Sequence, residues 1–354
     1  MAVQYGVRTR DASGMVTLDT SITPIRSLKM MTVTGNGEFD QYFSIPEIQA
    51  QSFVVVDTLE DRGEYTFSPQ AWYSPGQLHL RQPQDRTWQV MILSQGGEPF
   101  SAPGSYGIRT FNNNVRTQID AINKVLTVHY SGAFQIGVYW RPGMQAQVIE
   151  WADVTFPSPI TTYERPLIFL NAVDYMMVGN FSVKGSPGNW TGFRLKQWAN
   201  KGAHGSAADD YMNIRWYCSS YQAPSTPAGQ YGASVRDAAN NRTFVTTANL
   251  SLLNSQPSAT GFIQAGDPIT GGGGYYAPSQ QMPWTGNTAD FVLANALFSL
   301  TNIIQTTQPL RPNFGGFLPG NRSILQMYCD NGSGINPLTA NGRTLFASRP
   351  MKPL

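Results

Sequence analysis

Charge is scarce in this chain. Only 13% of its 354 residues are Asp, Glu, Lys or Arg, about half the usual share. Lysine and arginine form no run, and the formal net charge is +2. The clustered basic footprint of a nucleic-acid-binding protein is therefore missing. No stretch of about 20 apolar residues occurs, so no membrane insertion is expected. Histidine occurs three times and cysteine twice, and none of the histidines stands at a metal-ligand spacing from another ligand. Met1-Ala2-Val3-Gln4 carries neither the charged nor the apolar region of a signal peptide.

Neutral polar and turn-forming residues fill the gap. There are 34 Gly and 24 Pro, a composition with little helix-forming material and many loops. Hydrophobic residues make up 41% and aromatics 12%, enough to bury cores. The length suits two or three domains. Such composition is common in β-rich extracellular and viral structural proteins. An exterior-type surface without a secretion signal fits a virion component, made in the host cytoplasm and released by lysis; a cytosolic protein of unusual composition is the alternative.

The organising stretch is Tyr5 to Thr20, YGVRTRDASGMVTLDT. Strand residues Gly6 to Arg10, a turn over Asp11 to Gly14 and strand residues Met15 to Asp19 predict a β-hairpin. The stretch recurs at Tyr106-Gly107-Ile108-Arg109-Thr110 and again at Tyr231-Gly232, where Arg236-Asp237-Ala238 falls on Arg10-Asp11-Ala12. Every Tyr-Gly dipeptide in the chain opens one of these copies. Two similar linkers, Glu98 to Ser105 and Gln222 to Gln230, lead into the second and third copies.

Short strand signals at 8–12-residue spacing follow each hairpin, the pattern of an all-β sandwich. Phe53 to Val56, Leu167 to Ala172 and Phe291 to Ala296 read as equivalent buried strands; apolar content alone also fits a short helix over Phe291 to Thr301, and the repeat register selects the strand. Ser74-Pro75-Gly76 and Ser186-Pro187-Gly188 read as equivalent turns. Trp88 to Leu93, Tyr211 to Cys218 and Ile324 to Cys329 read as the closing strands. The expected fold is all-β, three tandem antiparallel β-sandwich domains related by internal repeat. The domains span 1–98, 106–221 and 231–335, and residues 336–354 form a C-terminal arm.

Candidate chemistry is sparse. His79 and His129 fall inside predicted strands, and His204 in a loop near Asp209-Asp210. Cys218 and Cys329 read as buried thiols in equivalent strands. Asp57, Glu60, Asp61 and Glu64 form an acidic turn with oxygen ligands for calcium but without the regular spacing of a calcium loop. The reading favours a solvated turn and no metal. Gly271 to Gly274, followed by Tyr275, Tyr276 and Trp284, is a candidate surface recognition loop, because Tyr and Trp stack on sugars or peptides at low entropic cost. No nucleophile–base pair or paired-acid motif stands out, so no catalytic residue and no cofactor is assigned.

The opening Tyr5-Gly6-Val7-Arg8-Thr9, Ala12-Ser13-Gly14 and Leu18-Asp19-Thr20 resembles the start of tail-associated proteins of long-tailed bacteriophages. The resemblance covers about 20 residues per copy. It implies a minor tail, baseplate or tail-fibre component that contacts other tail proteins or the host surface, most often as a trimer. The leading expectation is a non-enzymatic structural or receptor-binding part of the virion tail. The alternatives are a carbohydrate-binding adhesin and a polysaccharide-degrading tail enzyme.

Overall fold

The computed structural model describes residues 8–10, 14, 16–19, 24–59, 70–81, 85–94, 107–112, 115–140, 147–149, 151–173, 175–197, 210–222, 232–255, 261–263, 279–282, 284, 287–297, 313–318, 321–328 and 346–348. Among these residues the protein is all-β, with antiparallel sheets and one four-residue helix.

The chain opens with a two-stranded ribbon, β1 (Arg8–Arg10) and β2 (Val16–Asp19). Thr9 stands opposite Leu18, and a bulge follows before Arg10 pairs with Val16. Gly14 turns the chain at φ 81°, a left-handed conformation without steric cost for glycine. The Arg10 guanidinium donates to the Gly14 carbonyl at 2.6 Å.

Six strands come next: β3 (Arg26–Thr34), β4 (Asp40–Ser44), β5 (Phe53–Thr58), β6 (Gln70–Ser74), β7 (Gln77–Arg81) and β8 (Thr87–Ser94). They form two three-stranded sheets, β3-β8-β5 and β4-β7-β6. Alternation along a strand sends successive side chains to opposite faces. Val54, Val56, Trp88, Val90 and Ile92 face Ala71, Leu78 and Leu80 of the second sheet. Phe53, Val55, Met91 and Leu93 point the other way, into a central core. A sheet covered on both faces needs unbroken apolar runs, which is why 53–56 and 90–93 do not alternate with polar residues.

The second segment begins with the hairpin β9 (Gly107–Asn112) and β10 (Val115–Asp120), paired without a bulge. Then come β11 (Thr127–Trp140), β12 (Gln147–Ile149), β13 (Trp151–Ile160), β14 (Leu167–Ala172), β15 (Met176–Ser186), β16 (Asn189–Gln197) and β17 (Asp210–Ser220). The third segment holds β18 (Ser234–Arg236), β19 (Arg242–Val245), β20 (Leu252–Ser255), β21 (Gly261–Ile263), β22 (Ser279–Met282), β23 (Phe291–Leu293), α1 (Ala294–Leu297), β24 (Asn313–Leu318), β25 (Asn321–Tyr328) and β26 (Phe346–Ser348).

Apart from their hairpins, the second and third segments share two continuous seven-stranded sheets, β12-β11-β17-β14-β23-β26-β20 and β13-β16-β15-β24-β25-β22-β21. The seams are Phe169 opposite Leu293 in one sheet and Met176 opposite Phe317 in the other. Between the sheets lies a core rich in aromatics, including Phe156, Trp190, Phe193 and Trp216.

Three expectations from the sequence change here. Phe291 to Ala296 is a strand only to Leu293, after which α1 begins. The Asn295 side chain is drawn into buried polar contacts with Ile168 N and Asp57. Ile324 to Tyr328 belongs to β25, an inner strand of the second sheet paired with β22 and β24. Inside the stretch expected as an arm, β26 lies between β23 and β20.

Three short segments meet where the hairpins give way to the sheets. Ile25 N donates to Ser251 O at 2.8 Å, Ser251 N to Leu126 O at 2.9 Å, and Leu126 N to Ile25 O at 2.8 Å. Each segment thus gives one bond and receives one, and the ring closes. Flanking bridges follow the same cycle: Arg26 with Val125, Thr127 with Leu250, and Pro24 with Leu252.

Candidate functional site

Of the predicted recognition residues, Tyr275 and Tyr276 lie outside the described residues. Trp284 is half-buried, its ring edge-on to Phe317 at 5.4 Å, and its indole N–H donates to Asn287 O at 3.1 Å. It packs on the core between the seven-stranded sheets. This indole anchors its own segment. Trp284→Ala is expected to lower stability by about 2 kcal/mol, less than truncation of a fully buried tryptophan, read as a fall in the urea midpoint.

The acidic turn dissolves at its first member. Asp57 is buried on β5 and accepts from Arg165 Nη1 at 2.6 Å, Asn295 Nδ2 at 3.1 Å and Thr58 N at 2.8 Å. Glu60, Asp61 and Glu64 lie outside the described residues. The Arg165 guanidinium also donates to Val183 O at 3.2 Å, and its backbone N–H to Gln89 Oε1 at 3.1 Å. Residues from all three segments therefore converge on one dry ion pair. A second buried pair, Arg26 with Asp120 at 3.2 Å, joins the first and second segments. Asp120 also accepts from the backbone N–H groups of Ile122 and Asn123.

His129 is a half-buried side chain whose Nε2 lies 2.9 Å from Ser220 Oγ and 3.1 Å from Thr127 Oγ1. Burial holds its pKa below the ordinary 6.5, partly opposed by a hydrogen bond to the Gln222 backbone. The unfolded chain takes a proton at pH values where the folded chain does not. Stability contributed by the neutral ring is present above about pH 6.5 and declines as pH falls below it. His129→Gln should flatten the decline of the urea midpoint between pH 7.5 and 5.5 relative to wild type. His204 lies outside the described residues, as does Cys329. Cys218 is a fully buried free thiol whose pKa is pushed well up by desolvation, the inert state of a core cysteine.

His79 has a different setting. On the outer face of β4-β7-β6 it is flanked by its cross-strand neighbours Tyr42 and Trp72, with ring centroids 4.3 and 4.9 Å away. Its Nε2 lies 2.7 Å from Asp40 Oδ1. Tyr42 is 63% exposed, so the end of this three-ring stack meets solvent. Sequence reading took His79 as a strand residue and missed the stack, because register alone brings the three rings together.

Among the described residues no group of three or more His, Cys, Asp or Glu side chains is placed to hold a metal ion. No described helix is long and apolar enough to cross a membrane. Comparison with protein-family models, curated proteins and solved structures finds no match to this chain. What the geometry offers is a set of interlocked β-layers and a hydrogen-bonded ring flanked by the second and third hairpins.

Proposed function

We propose that the chain is a non-enzymatic structural component of a bacteriophage tail tip, baseplate or tail fibre, built as three related β-sandwich units around a pseudo-threefold axis. The observation that carries this reading is the closed ring of Ile25, Leu126 and Ser251. Their spacings, 101 and 125 residues, are those separating the three Tyr-Gly openings. A part seated on a tail axis must match rotational symmetry, and three fused units supply it within one chain.

Further correspondences support the repeat. The strand pairing β3-β8-β5 has counterparts in β11-β17-β14 and β20-β26-β23. In the facing layer β4-β7-β6 corresponds to β13-β16-β15 and β22-β25-β24. Gly76 and Gly188 turn equivalent hairpins at φ 79° and 84°, and their N–H groups donate to Ile48 O and Thr162 O. The third hairpin copies the first: Arg236 donates to Asn240 O at 2.7 Å, and Asn240 takes φ 64° where Gly14 takes 81°. Such units work by presenting surfaces, and the short spans between them keep those surfaces at high effective concentration.

Mass spectrometry of purified virions tests the reading. The protein should co-purify with particles, and its absence would remove the tail assignment. A second reading, carbohydrate binding at the host surface, is favoured by the Tyr42–His79–Trp72 stack, since an exposed ring such as Tyr42 beside a carboxylate suits pyranose recognition. A glycan array on wild type and Tyr42→Ala tests it. Saturable binding lost in the variant supports it, and no binding removes it.

A further inference from the structure

The pseudo-threefold arrangement is not equally good along its axis. At the ring, hydrogen bonds and bridges cycle through all three segments. Ile25 and Leu126 of the ring share one buried cluster with Phe53, Leu167 and Phe291, one residue from each segment. Farther along, β14 of the second segment pairs with β23 of the third, whereas among the described residues β5 pairs only with β8. Threefold character is therefore kept at the ring and not carried through the described strands of the body.

The second and third hairpins pack together beside the ring. Ile119 of the second and Phe244, Val245 and Val235 of the third share an apolar cluster with the ring-flanking Val125, Leu250 and Leu252. Thr243 Oγ1 donates to Val235 O within its hairpin and sits 3.4 Å from Asp120 O of the neighbouring one. Arginine is the cation of all three hairpins and outnumbers their acids. Each hairpin carries two arginines and no lysine: Arg8 and Arg10, Arg109 and Arg116, Arg236 and Arg242. Four aspartates accompany them, of which Asp120 is buried against Arg26. Arg8, Arg10 and Arg236 are exposed, the last two at matching positions of their hairpins.

From this we infer that the hairpin end is a docking surface for the threefold end of an acidic homotrimer, and that one copy of the chain docks per trimer. The inference rests on the pseudo-threefold tail reading and goes beyond it. A single chain already holds the three surfaces that a trimeric partner repeats, so self-trimerisation is unnecessary. The arginines answer carboxylates with planar, charge-assisted hydrogen bonds. An off-axis or asymmetric partner would engage one hairpin and leave two unused.

The test combines the purified chain with particles assembled from wild type or from Arg10→Glu/Arg236→Glu. Light scattering should find the isolated wild-type chain monomeric, and a self-trimer would overturn the inference. Quantitative mass spectrometry of particles should find one copy per three copies of a structural protein, in contact with the hairpin end in an asymmetric cryo-EM reconstruction. The double variant should fold with an unchanged melting midpoint and enter particles at least tenfold less. Arg10→Lys/Arg236→Lys, which keeps the charge, should enter near wild-type level. Presence of the chain at another ratio, or full incorporation of the Glu variant, overturns the docking while leaving the tail reading intact. Absence from particles removes both.

Discussion

Arg165→Met should destabilise the protein by about 3–5 kcal/mol, because it strands a buried carboxylate. Arg165 and Asp57 are 1% and 3% exposed, and their contact is 2.6 Å. Without the guanidinium, Asp57 keeps only the Asn295 amide and the Thr58 N–H. Either the charge stays in a dry site or the group protonates, and both cost stability. Asp57→Leu alone should cost a similar amount by leaving Arg165 charged among Val183 O and the Trp190 ring, whose centroid is 5.6 Å away. The double variant Arg165→Met/Asp57→Leu should recover much of the loss, since neither charge then remains buried. Urea denaturation of the four proteins completes the cycle. Additive losses would show that the pair is not coupled.

Proline in the ring should cost about 3 kcal/mol or more at each of three positions. Ile25, Leu126 and Ser251 each donate one backbone N–H within a closed cycle. All three are buried. Proline removes the donor, leaves the facing carbonyl without its partner in a buried site, and adds the clash of its ring with the preceding residue. Ser251→Pro also deletes the contact between Ser251 and Ser219 hydroxyls at 2.6 Å, whereas Ile25→Pro and Leu126→Pro each lose an apolar side chain from the core. Comparable losses at all three sites, measured by denaturant unfolding, are expected of a symmetric ring. A loss below about 1 kcal/mol at any one of them, the size of an ordinary surface change, would mean that this corner is not closed.

Local pattern made much of the architecture legible. The alternation and bulge of the first and third hairpins follow from Arg10-Asp11 and Arg236-Asp237 leading into a left-handed Gly14 or Asn240. Ser74-Pro75-Gly76 and Ser186-Pro187-Gly188 close tight turns, because proline fixes one φ and glycine takes the positive one. Pro-Gly also stands between the paired strands β24 and β25. Leu318 pairs with Asn321, and the residues between them are Pro319-Gly320. β25 follows that dipeptide as β7 follows Pro75-Gly76 and β16 follows Pro187-Gly188.

Long-range features were not legible. Asp57 and its partner Arg165 are 108 residues apart in sequence, and a charged residue among other acids reads as solvated until its partner is known. The Tyr42–His79–Trp72 stack depends on the registers of two strand pairs. Pairing of β14 with β23 joins two segments through strands that look alike in sequence, and composition cannot say which edges meet. The short helix after Leu293 arises where Asn295 turns inward to bond the Ile168 N–H and the Pro166 carbonyl, a tertiary demand that overrides strand register.

Native-state hydrogen exchange at three amides tests the threefold closure most directly. If Ile25, Leu126 and Ser251 form one closed ring, their N–H groups should exchange together, at the slow rate of global unfolding. Exchange of any one of them at the rate of an exposed loop amide, with the other two still protected, would contradict it.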